Sequence, residues 1–515
     1  MSSRIVNAKR NIIGLMINRI ISLLLPFFTR TAIIYYLGTV YLGLNSLFTS
    51  LLSVLSLAEL GVGTAMVFSM YEPIANGDDT TVCALLRLYR KIYYIIGTII
   101  LIIGIIFAPF LTLVISGEYP NDINIYAVYL INLFNTVISY YLFAYKDSLL
   151  TANQRIDILS MINSVICCIL NIGQTIILIK TKNYYMYCLF MVVTTIISNL
   201  IRSYIISKKY PRYRCQGTVS HEMLNDIKKR VTGLFIYKVC DVLRFSLDSI
   251  VLSAFLGLTV LAKYNNYYYI MNAIAGTMAI VSNSITATIG NSIIKESQEK
   301  NYKDFKRIQL IYMWIAGLCS ISLFCLYQPF MNFWVGKELM FDNVVMVFFC
   351  IYFFVNRWGD MCYAYRQGAG LWWQDKFRPI VESIVNISLN IILVQKMGVI
   401  GVLLSTIIGL VFINSLWGSK ILFKHYFTEY KQFDYLKRLM LYTVITALAC
   451  IATYGVCLYI EGVIKITNSV VELIVRALIC CIIPNTIFFI VYKNLSEFKE
   501  SMSLLKQLFF TKIKI

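Results

Sequence analysis

The segment Lys238-Val-Cys-Asp241-Val-Leu-Arg244-Phe-Ser-Leu-Asp248 lies inside an apolar run from about Val231 to Leu256. That run is long enough to cross a bilayer as a helix. At 100° per residue its four charged side chains fall within an arc of roughly 120°, so one helical face carries two cations and two anions. Leu, Ile, Val and Phe occupy the other faces. Each charge costs about 2.5–3.5 kcal/mol near the bilayer centre, and four together rival the stability of a whole domain. They are expected to face protein or water, and their mixed sign suggests a hydrated path for a charged substrate.

Composition extends this reading to the whole chain. Of 515 residues, 59% are hydrophobic and 14% charged, against roughly 25% charged in a soluble domain, which points to an all-α polytopic membrane protein. The basic start, Arg4 to Arg10, resembles the first part of a signal peptide. The apolar run behind it is long and holds Arg19 and Arg30, so it reads as an uncleaved first span. Fourteen cysteines fall mostly in apolar segments, with neighbours at Cys167-Cys168 and Cys480-Cys481; they read as core filler rather than as a disulfide framework. His221 and His425 lack partners at metal-ligand spacing, and no metal site is expected.

Apolar stretches of spanning length recur about fourteen times between residues 12 and 492, several joined by only a few residues, which requires antiparallel neighbours in a helical bundle. With the N-terminus cytoplasmic, 33 of the 46 lysines and arginines fall in loops on that side and six in the opposite loops. The other seven, Arg19, Arg30, Arg202, Lys238, Arg244, Arg357 and Arg476, lie within spans. The net charge of +20 is therefore mostly topology, with both termini cytoplasmic, and not a nucleic-acid surface. Arg202 and Arg476, close to helix ends, are expected to snorkel toward the interface.

A repeat at about 220 residues divides the chain. Pro109-Phe110 through Gly117-Glu118 recurs as Pro329-Phe330 through Gly336-Lys-Glu338. Leu170-Asn171 recurs as Leu389-Asn390, and Leu37-Gly38 as Leu256-Gly257. Six spans per unit make the copies parallel, related by an axis along the membrane normal. The expected organisation is a six-helix lobe at 1–206, a basic linker at 207–230, a second six-helix lobe at 231–430, two additional helices at 431–492 and a basic tail at 493–515. Within this repeat Lys238 corresponds to Arg19. Arg19, Ser22, Pro26, Thr29 and Arg30 share one face of the first helix, and Pro26 removes a backbone hydrogen bond there.

Asn18-Arg19, Pro26 to Arg30, Leu37-Gly38 through Gly43-Leu44-Asn45, Ala58-Glu59-Leu60-Gly61-Val-Gly63 and the duplicated halves together carry a resemblance covering about residues 5 to 430. The chain resembles the multidrug/oligosaccharidyl-lipid/polysaccharide exporter superfamily, in its polysaccharide transporter branch of Wzx-type O-antigen and capsule repeat-unit flippases. The last two helices resemble an additional pair found in some members. The resemblance implies two lobes around a V-shaped cleft, alternating access, and translocation of a polyprenyl-diphosphate-linked oligosaccharide across the bacterial inner membrane. Membrane lipids, a polysaccharide polymerase and glycosyltransferases are the partners it implies.

The chemistry of the residues agrees. A diphosphate carries roughly two negative charges, and Arg or Lys in a confined cavity binds it by charge-assisted hydrogen bonds. The candidates are Arg19, Arg30, Lys238 and Arg244, with Arg357 ranked below them. Structural readings stand beside these: Lys238 is near enough to a helix end to snorkel, and Arg244 could pair with Asp241 or Asp248. Glu59 reads equally as a helix-packing residue or a protonatable coupling group. No Gly-x-x-x-x-Gly-Lys-Ser/Thr nucleotide motif occurs, so no cofactor is expected; Glu59, Asp241 and Asp248 are the candidates for coupling to H+ or Na+. No long outer loop with catalytic clusters supports an enzyme. A peptidoglycan-precursor flippase and a multidrug or cation antiporter of the same superfamily are the alternatives.

Overall fold

The computed structural model describes residues 2–59, 61–117, 119–464, 468–495 and 497–501; the side chains of 2–9, 11–13, 58 and several positions within 221–256 and 258–295 lie outside that description. Every regular element among the described residues is helical, and the chain divides into two compact units, Met1–Asn265 and Asn266–Ile515.

The first unit holds α1 (Ser2–Tyr36), α2 (Thr39–Leu55), α3 (Val62–Asn76), α4 (Asp79–Phe107), α5 (Ile125–Tyr141), α6 (Asp147–Ala152), α7 (Ile156–Thr181), α8 (Tyr184–Lys209) and α9 (His221–Leu256). α10 (Leu258–Lys295) runs through the boundary between units. The second unit continues with α11 (Gln298–Val335), α12 (Asn343–Trp358), α13 (Asp360–Gly368), α14 (Trp372–Asp375), α15 (Phe377–Met397), α16 (Val399–Ile408), α17 (Gly418–His425), α18 (Gln432–Ile464) and α19 (Ser469–Tyr492). Between α16 and α17 the backbone is π-helical over Gly409–Trp417.

Among the described residues ten helices are long and apolar enough to cross a membrane, or up to eleven with the bent pair Ile125–Tyr141 and Ala144–Ala152. The expected fourteen are not reached by this criterion. The stretch 41–70 is broken between α2 and α3, and the stretches 231–256 and 262–294 include residues outside the description, leaving Thr39–Leu55 and Ser246–Leu256 as shorter apolar helices. The chain is a multi-pass membrane protein.

The duplication is visible in the backbone. Gly38 and Gly257 turn one helix into the next with φ of +103° and +84°, a conformation that a Cβ would strain. Gly117 and Gly336 are a further left-handed pair at the same separation of 219 residues, and Gln154 and Gly370, like Lys182 and Gly398, have positive φ 216 residues apart. Equivalent hairpins thus turn at equivalent residues.

Polar residues recur at matching depths as well. Asn171 on α7 and its repeat mate Asn390 on α15 are both buried. In lipid an amide is tolerated where a neighbouring helix satisfies it. Thr29 Oγ1 on α1 donates to Asn171 Oδ1 at 2.9 Å, while Ser405 Oγ on α16 donates to Asn390 Oδ1. Asn386 Nδ2 donates to Thr406 Oγ1 at 3.0 Å in the same α15–α16 seam.

Candidate functional site

In the first unit α1 lies along α7, and the seam is polar at both ends. Ser164 Oγ donates to Asn18 Oδ1 at 3.2 Å, and Thr29 joins Asn171 eleven residues further along α1. Eleven residues make close to three full turns, so Asn18 and Thr29 lie one above the other. By the same spacing Arg19 and Arg30 form a second column, one residue round from the seam. Both are half-buried, and the Nε of Arg19 is shielded from solvent without a hydrogen bond among the described residues. Packing against α7 therefore fixes the rotation of α1 that sets the two guanidiniums in a column.

Glu59 ends the 3-10 turn Ser56–Glu59 between α2 and α3. The helix can break and restart there because Gly61 takes φ +90° as the residue before α3. Gly63 then lets α4 approach, since a Cβ at that position would lie 3.0 Å from the Tyr89 hydroxyl oxygen. Tyr93 donates its hydroxyl to Glu59 Oε1 at 2.5 Å, Tyr140 donates to Oε2 at 2.6 Å, and Tyr89 donates to Tyr93 at 2.7 Å. The sequence motif around Glu59 thus builds a carboxylate held by tyrosines. It opens on a cavity of about 820 Å³ also lined by Thr64, Tyr71 and Asp147.

Asp147 on α6 pairs with Arg202 on α8 at 3.0 Å, and Arg202 also donates to Asn163 Oδ1 at 2.6 Å. Arg202 is held by these two partners. Asp248 is buried on α9. The side chains of Lys238, Asp241 and Arg244 lie outside the described residues, although all three positions are helical.

In the second unit Arg357 is buried at the end of α12 and pairs with Asp360 at 2.9 Å, and the Tyr312 hydroxyl donates to the same carboxylate. Its charge is thus matched within one helical turn. Two further charge clusters lie where the sequence suggested loop or snorkelling residues. Asp375 accepts from Arg366 Nε at 3.2 Å and from Arg378 Nε at 2.6 Å, and Arg378 Nη1 donates to Glu382 Oε2 at 3.0 Å; all four residues are buried. Arg476, on α19, pairs with Glu461 at 2.5 Å and Glu472 at 3.1 Å. The spacings Asp375–Arg378–Glu382 and Glu472–Arg476 are one helical turn each and were readable as facing pairs. Hydropathy alone hid them.

Comparisons with known proteins place the fold. No protein-family model and no curated relative matches the chain. Solved structures do. One described as the lipid II flippase MurJ in an inward closed conformation is 16% identical, covering 94% of this chain and 99% of that one with a TM-score of 0.67. A multidrug resistance MATE family transporter of the MOP superfamily, inward-facing, is 15% identical over 80% of this chain and 98% of that one, TM-score 0.63. A MOP superfamily transporter from Pyrococcus furiosus, whose binding pocket is described as reversed in polarity, is 15% identical over 81% and 96%, TM-score 0.57. All are transporters. At these identities the likeness is one of architecture, and the chain has the fold of the MOP superfamily transporters.

Proposed function

We propose that the chain translocates a polyprenyl-diphosphate-linked oligosaccharide repeat unit, of the O-antigen, capsule or related surface-polysaccharide kind, from the cytoplasmic to the outer face of a bacterial inner membrane by alternating access. The observation that carries this reading is the column of Arg19 and Arg30 on α1, two half-buried guanidiniums in a spanning helix. A guanidinium fork pairs bidentately with phosphate oxygens and keeps its charge when desolvated. Lys238 and Arg244 complete the proposed headgroup site; Arg357, paired with Asp360, contributes least. The fold likeness supports the substrate class, since it spans 94% of this chain with a protein described as a lipid II flippase.

A peptidoglycan-precursor flippase is the second reading, favoured by that same likeness. In either case the lipid tail stays in the bilayer while charge and sugars cross. Glu59, held by two tyrosines and facing a cavity, is the proposed group for coupling to H+ or Na+. Moving one charge through 100 mV supplies about 2.3 kcal/mol, enough to bias two conformations.

Vesicles holding purified protein, loaded with fluorescent polyprenyl-diphosphate glycans, provide the test. Transbilayer movement that falls at least tenfold in Arg19→Ala with Arg30→Ala, in well-folded protein, supports the reading. Unchanged movement in that variant removes α1 from the site. Movement of a lipid II probe alone selects the second reading.

A further inference from the structure

We infer that the second unit carries a binding subsite for the neutral sugar portion of a glycan, set at the end of the unit remote from its basic loops, between the C-terminal half of α11, the start of α12 and the hairpin of α18 and α19. The inference rests on the lipid-linked-glycan reading above and names a part of the substrate that the α1 arginines do not address.

The site is a cavity of about 410 Å³, within the roughly 300–1,000 Å³ of ligand pockets. Its construction starts from Pro329 in α11. Proline has no N–H, so the carbonyl of Cys325, four residues earlier, loses its helical donor. Arg476 Nη1 on α19 supplies one instead, donating to Cys325 O at 2.9 Å. Glu461 and Glu472 anchor the rest of that guanidinium. The opposite wall is fixed by Gln328, which accepts from the Tyr267 hydroxyl at 2.7 Å and donates to Phe341 O at 2.8 Å and Asn343 Oδ1 at 3.1 Å. The walls are therefore held by their own hydrogen bonds before any ligand arrives.

What this wall offers selects the ligand. Its charged side chains are Lys337, Arg476, Asp342 and Glu472, two of each sign. A net-neutral lining gives no attraction for a diphosphate. The amides of Asn332 and Asn343 add a donor and an acceptor each, and Phe324 and Tyr454 present ring surfaces. Planar polar groups able both to donate and to accept, beside aromatic faces, match a ring bearing hydroxyls on its rim and C–H groups on its faces. The chemistry is that of an uncharged monosaccharide or the end of a short oligosaccharide.

Asn332 and Asp342 are exposed and are the positions to change, because neither appears among the contacts that hold the walls. Full-length protein in lipid nanodiscs is titrated with a panel of free mono- and oligosaccharides and, separately, with a short-chain polyprenyl diphosphate lacking sugar. The expected result is saturable binding of at least one sugar, weakened at least tenfold in Asn332→Ala with Asp342→Ala, with unchanged thermal stability and unchanged binding of the diphosphate lipid. Absence of any sugar binding, or equal binding by the variant, overturns the subsite while diphosphate binding leaves the flippase reading standing. Loss of diphosphate binding in the unaltered protein would instead remove the flippase reading on which the subsite rests.

Discussion

Replacing Arg476 by Met should reveal the debt left by Pro329. The guanidinium caps the Cys325 carbonyl at 2.9 Å and pairs with two glutamates. An uncapped buried carbonyl costs about 1–3 kcal/mol. The side chains of Glu461 and Glu472 are 25% and 27% exposed, so water relieves part of their loss and each pair contributes at the low end, under about 1 kcal/mol. The expected cost is about 2–4 kcal/mol. Pro329→Ala restores an N–H one turn below Cys325. In the Arg476→Met background it should recover the carbonyl's share, about 1–3 kcal/mol, whereas in the unaltered protein it should leave Arg476 competing with a restored helical bond and gain less. Unfolding in mixed dodecyl sulfate micelles, followed by reaction of the buried cysteines with a thiol-reactive fluorophore, gives the four free energies of the cycle. If the two substitutions were additive, the capping argument would fail.

Asp375→Ala removes the carboxylate that two buried guanidiniums share, and should cost about 3–5 kcal/mol in the same unfolding assay; little change would mean that water enters the cluster. Glu59→Gln should keep folded protein at normal yield, since the amide oxygen still accepts from one tyrosine, while abolishing the response of transport to an imposed pH or Na+ gradient; a variant that still responds moves coupling elsewhere. Asp78 caps α4 by accepting from Thr80 Oγ1 at 2.6 Å and from Thr81 N at 3.0 Å. These bonds, the Thr80 hydroxyl first, hold its carboxyl down at about 2. A lowered folded value means that its contribution is complete above the unfolded carboxyl's ordinary range and fades as pH falls from about 4 toward 2. Asp78→Asn should flatten the pH dependence of the melting temperature in that window, and an unaltered slope would count against the cap.

How far the sequence could be read depended on which signal carried each feature. Helices announced themselves through hydropathy, and the duplication through Leu37-Gly38 and Leu256-Gly257, where glycine in both copies makes the positive φ free of Cβ strain. Glu59 drew attention through its flanking glycines, but the tyrosines that hold it come from α4 and α5, 34 and 81 residues away. Nothing local marks them. The ion pairs of Arg202, Arg366, Arg378 and Arg476 went unread for one reason: hydropathy and distance from a helix end measure position along the chain, while a partner depends on what packs alongside. Their carboxylates were within reach in the sequence as turn-spaced pairs only for Arg378 and Arg476.

The α1–α7 seam has a consequence for biogenesis. α1 leaves the ribosome well before α7, and its window is among the least hydrophobic of the candidate spans, with mean hydropathy 1.4 against 2.6 for Asp79–Val114. The groups that satisfy Asn18 and Thr29 belong to α7 and are made 146 and 142 residues later, which at roughly 5–20 residues per second is a delay of about 7–29 s. During that interval α1 is an apolar segment carrying polar side chains whose α7 partners do not yet exist. Insertion of this chain therefore has a waiting period built into α1, and whatever shelters Asn18 and Thr29 from lipid over those seconds must release them when α7 arrives.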